Sequence, residues 1–208
     1  MVAHWEGVTK SGSVAEELVS MADVTPTFVE AAGGSLDAGA VDGKSFLKML
    51  RGEQVVNHRT VLGAFTNCNI IGSRERVYPI RVIRNKNFSL IYNPEHEAIT
   101  SNVTLDQALA MTTGKATKGD DVAASWVALA QSDPAAGALV RKLHHRAEYE
   151  LYHLKNDPYE LVNVIDNPEF AEVAARLKKQ LHARLSALGD EDPVATERGM
   201  VAPKRKKK

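Results

Sequence analysis

Residues 149–168 read Tyr-Glu-Leu-Tyr-His-Leu-Lys-Asn-Asp-Pro-Tyr-Glu-Leu-Val-Asn-Val-Ile-Asp-Asn-Pro, and the fold prediction starts from this stretch. Side chains alternate in its first part, with Leu151 on one side and Glu150 and Tyr152 on the other, which predicts a short strand with a mixed second face. A turn should follow at residues 156–158, because Asn and Asp bond to their own backbone and Pro fixes φ.

The helix that follows has the clearest periodic pattern in the sequence. Its apolar positions follow helical spacing and are Phe170, Val173, Ala174, Leu177, Leu181, Leu185 and Leu188. Pro168 suits a first-turn position, and Gly189 suits the C-terminal cap. We therefore predict one unit of strand, tight turn and long amphipathic helix, whose apolar face needs a sheet to cover.

Three further segments are rich in β-forming residues. Residues 60–66 are strand-like, and residues 78–84 and 88–92 predict a hairpin around a short polar connection. With residues 149–154 they predict a small antiparallel sheet of three or four strands packed by the long helix, which is an α+β fold. Residues beyond 190 are predicted to form a polar, irregular tail.

The N-terminal quarter contains apolar and helical signals without a hairpin. Residues 2–5 are strand-like, and a helix is predicted to begin near Ser20 or Ala22 and to end at Gly33-Gly34. A turn at residues 42–45 precedes a short helix over residues 46–50. Mostly helical sequence is also predicted for residues 101–147, with breaks at residues 114–121 and 132–134.

These segments carry a family resemblance. The run Glu-Leu-Tyr-x-Leu-x-Asn-Asp-Pro-Tyr-Glu-Leu-x-Asn, followed by a helix, resembles the C-terminal signature of the sulfatases, and the nearest branch is the N-sulfoglucosamine sulfohydrolase (heparan N-sulfatase)-like group. Residues 1–52 are similar to a preceding sulfatase segment. The matching positions there are Asp23, Pro26, Thr27, Asp42, Gly43, Ser45 and Gly52.

The resemblance implies a division of the chain. Residues 1–55 would be the tail end of the large sulfatase α/β domain, contributing its last strand and helix in an alkaline-phosphatase-like fold. Residues 56–190 would be the C-terminal α+β subdomain, and residues 191–208 a polar tail with a basic terminus. The implied function is the C-terminal part of a sulfuric ester or sulfamate hydrolase that acts on a sulfated sugar or a similar small sulfated compound.

The catalytic chemistry of the family is expected upstream of this sequence. Sulfatases use a formylglycine made in a Cys/Ser-x-Pro-x-Arg motif and hold calcium with Asp and Asn side chains. Cys68, the single cysteine, precedes Asn-Ile-Ile-Gly and does not fit that motif, so a partly buried thiol is expected. We therefore predict no catalytic residue, no metal ligand and no cofactor in this chain, which would be inactive alone.

Local alternatives to that chemistry were weighed against structural explanations. Asp120-Asp121 is more typical of a solvated turn than of a calcium site, which needs six or more oxygen ligands. Residues 95–97, Glu-His-Glu, favour an exposed loop, and His144-His145 point in different directions and favour the lining of a domain interface. Residues 102–104 fit a glycosylation acceptor, a short motif that often matches by chance.

Substrate contacts are predicted in and near the loop of residues 67–78, which the resemblance places at the mouth of the active site. The candidates are Asn67, Arg74, Arg76, Tyr78 and Arg81. Guanidinium groups suit sulfate or carboxylate groups on a sugar, because they offer forked donors. The alternative is that Arg81 stabilises the sheet and that the other two arginines are solvated.

Composition limits the partners. The chain has 26 basic and 26 acidic residues, but five of the basic ones are Lys204–Lys208, so the remainder is mildly acidic and does not predict a nucleic-acid-binding face. The basic terminus suits a solvated segment better than an address or a phosphate-binding patch. No apolar run is long enough to predict a membrane span. The compartment is left open, since any export signal would lie in the expected upstream part.

Two other functions remain open. The chain could be a non-enzymatic complementation or binding module that docks onto a separate N-terminal sulfatase half. A complete small protein is disfavoured, because residues 1–52 would leave a strand edge and an apolar helix face uncovered.

Overall fold

The computed structural model describes residues 1–65, 77–100 and 121–200. Its centre is an antiparallel sheet of four strands in the order β1-β2-β3-β4. The strands are β1 (Val61–Phe65), β2 (Ile80–Arg84), β3 (Phe88–Tyr92) and β4 (Tyr149–His153). The α+β prediction and the predicted sheet are confirmed.

The β2–β3 hairpin is closed by one side chain. Asn85 Oδ1 accepts hydrogen bonds from the backbone N–H groups of Asn87 at 2.8 Å and Phe88 at 2.7 Å. This Asx-type bonding adds to the backbone bond that the Asn85 N–H donates to the Phe88 carbonyl at 2.9 Å. It fixes the register in which Ile83 lies opposite Leu90, and Leu90 in turn lies opposite Leu151 of β4.

In the described ranges six helices accompany the sheet, together with 3₁₀ turns at Met21–Asp23 and Pro168–Phe170. They are α1 (Val24–Ala31), α2 (Leu47–Leu50), α3 (Asp121–Leu129), α4 (Pro134–His144), α5 (Ala171–Ala187) and α6 (Pro193–Met200). The break predicted at residues 132–134 is the N-terminal cap of α4, where Asp133 accepts from the N–H groups of Ala135 and Ala136. None of the helices in the described ranges is both long and apolar enough to cross a membrane.

Helix α5 packs on one face of the sheet and forms the main core. The buried side chains are Ile83, Leu90 and Leu151 from the strands and Ala174, Leu177, Leu181 and Leu185 from the helix. Burying each large aliphatic side chain contributes about 1.5–3 kcal/mol. The predicted strand–turn–helix unit is therefore the unit that packs. The opposite face of β4 carries Glu150 and Tyr152, as its alternation predicted.

Two predictions about the chain ends are wrong. Residues 2–5 form no strand, because a strand needs a neighbour, and no backbone hydrogen bond joins residues 1–4 to the other described residues. Beyond Asp190 the chain is not irregular but forms α6. Asp192 begins that helix by accepting from the Ala195 N–H at 3.0 Å, and Glu197 within it is fully buried.

Candidate functional site

The predicted substrate-contact residues fall into two groups. Asn67, Arg74 and Arg76 lie outside the described residues, as does Cys68. Tyr78 and Arg81 are described, and each is 2% exposed. The Tyr78 hydroxyl is buried and finds no hydrogen-bond partner among the described residues. Of the predicted set, the described structure therefore places two residues, both under the surface at the start of β2.

Arg81 connects the sheet to the C-terminal helices. Its Nε donates to Asp190 at 2.6 Å and its Nη1 donates to Glu197 at 2.8 Å, while Nη2 reaches the second Asp190 oxygen at 3.3 Å. With a further bond to the Ile80 carbonyl, four of the five guanidinium N–H groups are used. This geometry matches the structural alternative, in which Arg81 stabilises the sheet.

The pKa values of Arg81 and Glu197 each depend on the charge of the other side chain. Burial by itself lowers the pKa of Arg81, but the bonds that Arg81 donates to Asp190 and Glu197 outweigh it and raise that pKa. Burial also raises the pKa of Glu197, which the nearby guanidinium only partly opposes. No local pattern predicts this pairing, because the residues after Asp190 are polar and Glu197 lies 116 residues from its partner.

A second buried network lies on the opposite face of the sheet. Glu150 accepts two bonds from Arg146, at 2.8 and 3.0 Å, one from Asn93 at 2.9 Å and one from the Tyr152 hydroxyl. Burial alone would raise the pKa of Glu150, but these donors hold it below its ordinary value. Burial and the Glu150 carboxylate raise the pKa of Tyr152. Glu150 lies on β4 and Arg146 lies between α4 and that strand, so the helical four-residue rule does not apply and no local pattern predicts this pair.

A basic cleft opens beside the Glu150 network. Its walls include Arg141, Lys142, His145 and Arg146, and its volume is about 440 Å³. Lys142 donates to the carbonyl oxygens of Glu160 and Leu161. The exposed Arg141 and His145 side chains make no hydrogen bond within the described residues. The cleft is chemically suited to an anionic group, and sequence reasoning missed it although its four basic residues lie within positions 141–146.

A third network joins the N-terminal segment to the loops around it. The buried Asp23 carboxylate accepts from the N–H groups of Ser20 and Lys44, both at 2.7 Å, from Asn57 at 3.2 Å, and contacts His58 Nε2 at 2.9 Å. Gly43 allows this approach, because a Cβ there would lie 2.0 Å from the Ala22 carbonyl oxygen. Asp23 and Gly43, two of the positions that carried the family resemblance in this segment, therefore have structural roles.

The remaining candidate residues from the sequence are either in a turn or outside the described ranges. Residues 95–97 lie in a turn after β3, as the structural alternative predicted, and Glu95 pairs with Arg198 at 3.0 Å. Residues 102–104 and Asp120 lie outside the described ranges. Within residues 1–65, 77–100 and 121–200, no group of three or more His, Cys, Asp or Glu side chains is arranged to hold a metal ion.

Comparison with known proteins identifies the family. Over 190 residues, the chain is 34% identical to an ulvan-active sulfatase from Formosa agariphila, a match that spans 91% of this chain and 33% of the relative. A match to the human N-sulphoglucosamine sulphohydrolase has 26% identity over 196 residues and spans 87% of this chain and 35% of that protein. The chain corresponds to the C-terminal portion of a sulfatase.

The fold of this sulfatase portion has a counterpart among solved structures. A candidate sulfatase from Bacteroides thetaiotaomicron superposes with a TM-score of 0.50 at 18% identity, over 81% of this chain and 25% of that protein. No protein-family model matches the chain. The sulfatase portion thus spans about a third of the length of the curated relatives it matches.

Proposed function

We propose that this chain serves as the C-terminal part of a sulfatase that hydrolyses a sulfate ester or sulfamate on a sugar. The observation that carries the proposal is the 34% identity to the ulvan-active sulfatase across 91% of the chain. The name of the human relative specifies a sulfated sugar, and this supports a substrate of the same class. In this role the chain completes the fold of the enzyme and forms one wall of its substrate pocket.

The substrate wall in this proposal is built from the loop before β2. Asn67, Arg74 and Arg76 contact the substrate, and the buried Tyr78 anchors the end of that loop. The Tyr78 hydroxyl supports this placement, because a buried hydroxyl without a partner in the described residues is an available donor and acceptor. Arg81 has a supporting part only, since Asp190 and Glu197 take up most of its donors.

The chain by itself does not perform the chemistry in this proposal. The family resemblance implies that the formylglycine and the calcium ligands belong to the preceding portion of the enzyme. Calcium takes six to eight oxygen ligands, and the described residues offer no such group. The implied metal therefore does not fit residues 1–65, 77–100 and 121–200, and no catalytic step is assigned to them.

A second candidate function is complementation of a separate N-terminal sulfatase half. The observation that favours it is that apolar side chains of the N-terminal segment, such as Val2 and Phe28, are 97% and 70% exposed. A sulfatase portion with such a surface requires a covering partner, whether that partner is part of the same polypeptide or a second chain.

A chimaera tests the proposed function. We expect that the Formosa agariphila relative, with its aligned segment replaced by this chain, folds and desulfates ulvan oligosaccharides, because the replacement restores the same fold. The same relative without the segment is the control and should be inactive. A chimaera that melts cooperatively but hydrolyses neither ulvan oligosaccharides nor a chromogenic aryl sulfate would contradict the proposal.

A further inference from the structure

The basic cleft carries two positive charges, those of Arg141 and Lys142, that form no ion pair with a carboxylate of the described residues. Arg141 and His145 are exposed, and neither side chain makes a hydrogen bond to a described residue. Lys142 donates to two neutral carbonyl oxygens, those of Glu160 and Leu161, at 2.6 and 2.9 Å. These bonds hold the ammonium group in place without cancelling its charge.

Glu150 is the acidic side chain among the described residues that line the cleft, and its acceptors are already occupied. Its Oε1 accepts from Arg146 and Asn93, and its Oε2 accepts from Arg146 and the Tyr152 hydroxyl. Two bonds to each oxygen fill the acceptor capacity of a carboxylate. Arg146 uses two of its five N–H groups in these bonds and its side chain is 25% exposed, so three donors remain for a ligand.

The helix dipole and a nearby carboxylate do not account for this group of cations. Positive side chains suit the last turn of a helix, and Arg141 and Lys142 lie in the last turn of α4. Arg146 follows the helix, however, and lines the same cleft. Asp157 does not neutralise Lys142, because its two oxygens accept backbone N–H groups, and these bonds lower its pKa more than Lys142 does.

The cleft is larger than a single inorganic anion needs. Its volume is about 440 Å³, and pockets for small organic ligands range from about 300 to 1,000 Å³. Ala138 and Leu161 also line it, and Leu161 is 57% exposed. A sugar ring that carries a sulfate group can place the charge against the guanidinium groups and its C–H face against Leu161.

We propose that this cleft binds a sulfate group carried by a sugar unit other than the one that is hydrolysed. Arg141 and Arg146 donate to the sulfate oxygens with their forked N–H groups, and Lys142 adds a fixed positive charge. None of these residues belongs to the set predicted to contact the substrate at residues 67–81. The choice of a sulfated sugar rests on the proposed function, whereas the binding of an anionic group rests on the cleft alone.

Calorimetric titration of the full chain with N-sulfoglucosamine tests the site. N-acetylglucosamine, which carries a neutral group on the same nitrogen, and sodium sulfate, which lacks the sugar, are the comparison ligands. We expect N-sulfoglucosamine to bind at least about tenfold more tightly than either of them. The Arg141→Glu variant should weaken this binding at least about tenfold, because a charge-assisted donor is replaced by a repelling carboxylate.

Arg176→Glu is the matched control for Arg141→Glu. It makes the same change of charge at an exposed position of α5 that does not line the cleft, so its affinity should equal that of the wild type. Thermal melts of both variants should match the wild type, since both side chains are exposed.

The outcomes separate the cleft from the proposed function. Equal affinities of the two variants, or equal affinities for N-sulfoglucosamine and N-acetylglucosamine, would overturn the site. Sodium sulfate that binds as tightly as N-sulfoglucosamine would assign the cleft to a free anion and overturn the sugar ligand. An active chimaera together with a chain that binds no N-sulfoglucosamine would overturn the cleft alone. A folded but inactive chimaera, with the expected binding, would support the cleft and contradict only the proposed function.

Discussion

Replacing Arg81 with alanine should lower the free energy of unfolding by about 3–5 kcal/mol, the range for removing one partner of a buried ion pair. The substitution leaves Glu197, which is fully buried, without its only hydrogen-bond donor in the described residues, and it frees Asp190 as well. Chemical denaturation measured by circular dichroism gives the change directly. We expect α6 to detach first, because Arg81 is the residue that bonds it to the sheet.

Arg84→Ala is the control for Arg81→Ala. Arg84 lies on the same strand but pairs with Glu160 at 3.2 Å with 46% of its side chain exposed. Exposed pairs contribute about 0–1 kcal/mol, so this variant should remain close to the wild type. If both variants lost the same free energy of unfolding, the buried cluster of Arg81, Asp190 and Glu197 would contribute no more to stability than a surface pair.

The Asp23→Asn variant should lose about 3 kcal/mol of stability at pH 7, since two backbone N–H groups lose a charged acceptor and such bonds contribute about 1.5–3 kcal/mol each. Those donors are Ser20 and Lys44, both at 2.7 Å. Asn has nearly the same shape, but its amide NH₂ would face one of these donors. Denaturant unfolding measures the loss, and the exposed Asp42→Asn substitution is a control that should change little.

The loss caused by Asp23→Asn should also depend on pH. Burial by itself raises the pKa of Asp23, but bonds from the Ser20 and Lys44 backbone and from His58 outweigh it, so the folded pKa lies below 3.8. The stabilisation is therefore fully present above about pH 4 and is lost as the pH falls through the folded value. Wild type and variant should converge in stability below pH 4, and a constant difference between pH 7 and pH 3 would contradict this.

The sequence was sufficient for the parts of the fold that local patterns encode. Alternation predicted which residues of β4 face the helix, and helical spacing predicted the residues of α5 that fill the core. The Asn85 turn and the Asp133 cap are also local chemistry, since each side chain bonds to backbone within three residues. Such elements can be predicted from the sequence because the interacting groups are close together in the chain.

Contacts between residues that are distant in the chain could not be predicted from the sequence. His58 lies 35 residues from Asp23, and Glu197 lies 116 residues from Arg81. In the sequence, a polar residue near the C-terminus cannot be told from a solvated one, because its partner is distant in the chain. For this reason α6 was predicted as an irregular tail. The family motif singled out Asp23 and Gly43 but did not explain why these residues are needed. The structure supplies the reason, which is the close contact between residues 22–23 and 43–44.

The candidate site also combines features that local sequence patterns predict with features that depend on the fold. The family resemblance predicted substrate contacts in and near residues 67–78, and this stays a prediction; burial decides which guanidinium groups are available, and Arg81 is bonded to two carboxylates. The basic residues of the cleft, Arg141, Lys142, His145 and Arg146, lie within six consecutive positions, so the sequence does carry a sign of this cluster.

The central proposal is that this chain serves as the non-catalytic portion of a sulfatase. The most direct measurement is sulfate release by the purified chain, supplied with calcium, from N-sulfoglucosamine, ulvan oligosaccharides and a chromogenic aryl sulfate. We expect no turnover above the uncatalysed rate on any of them. Turnover that scales with the concentration of the chain, and persists after a further purification step, would contradict the claim.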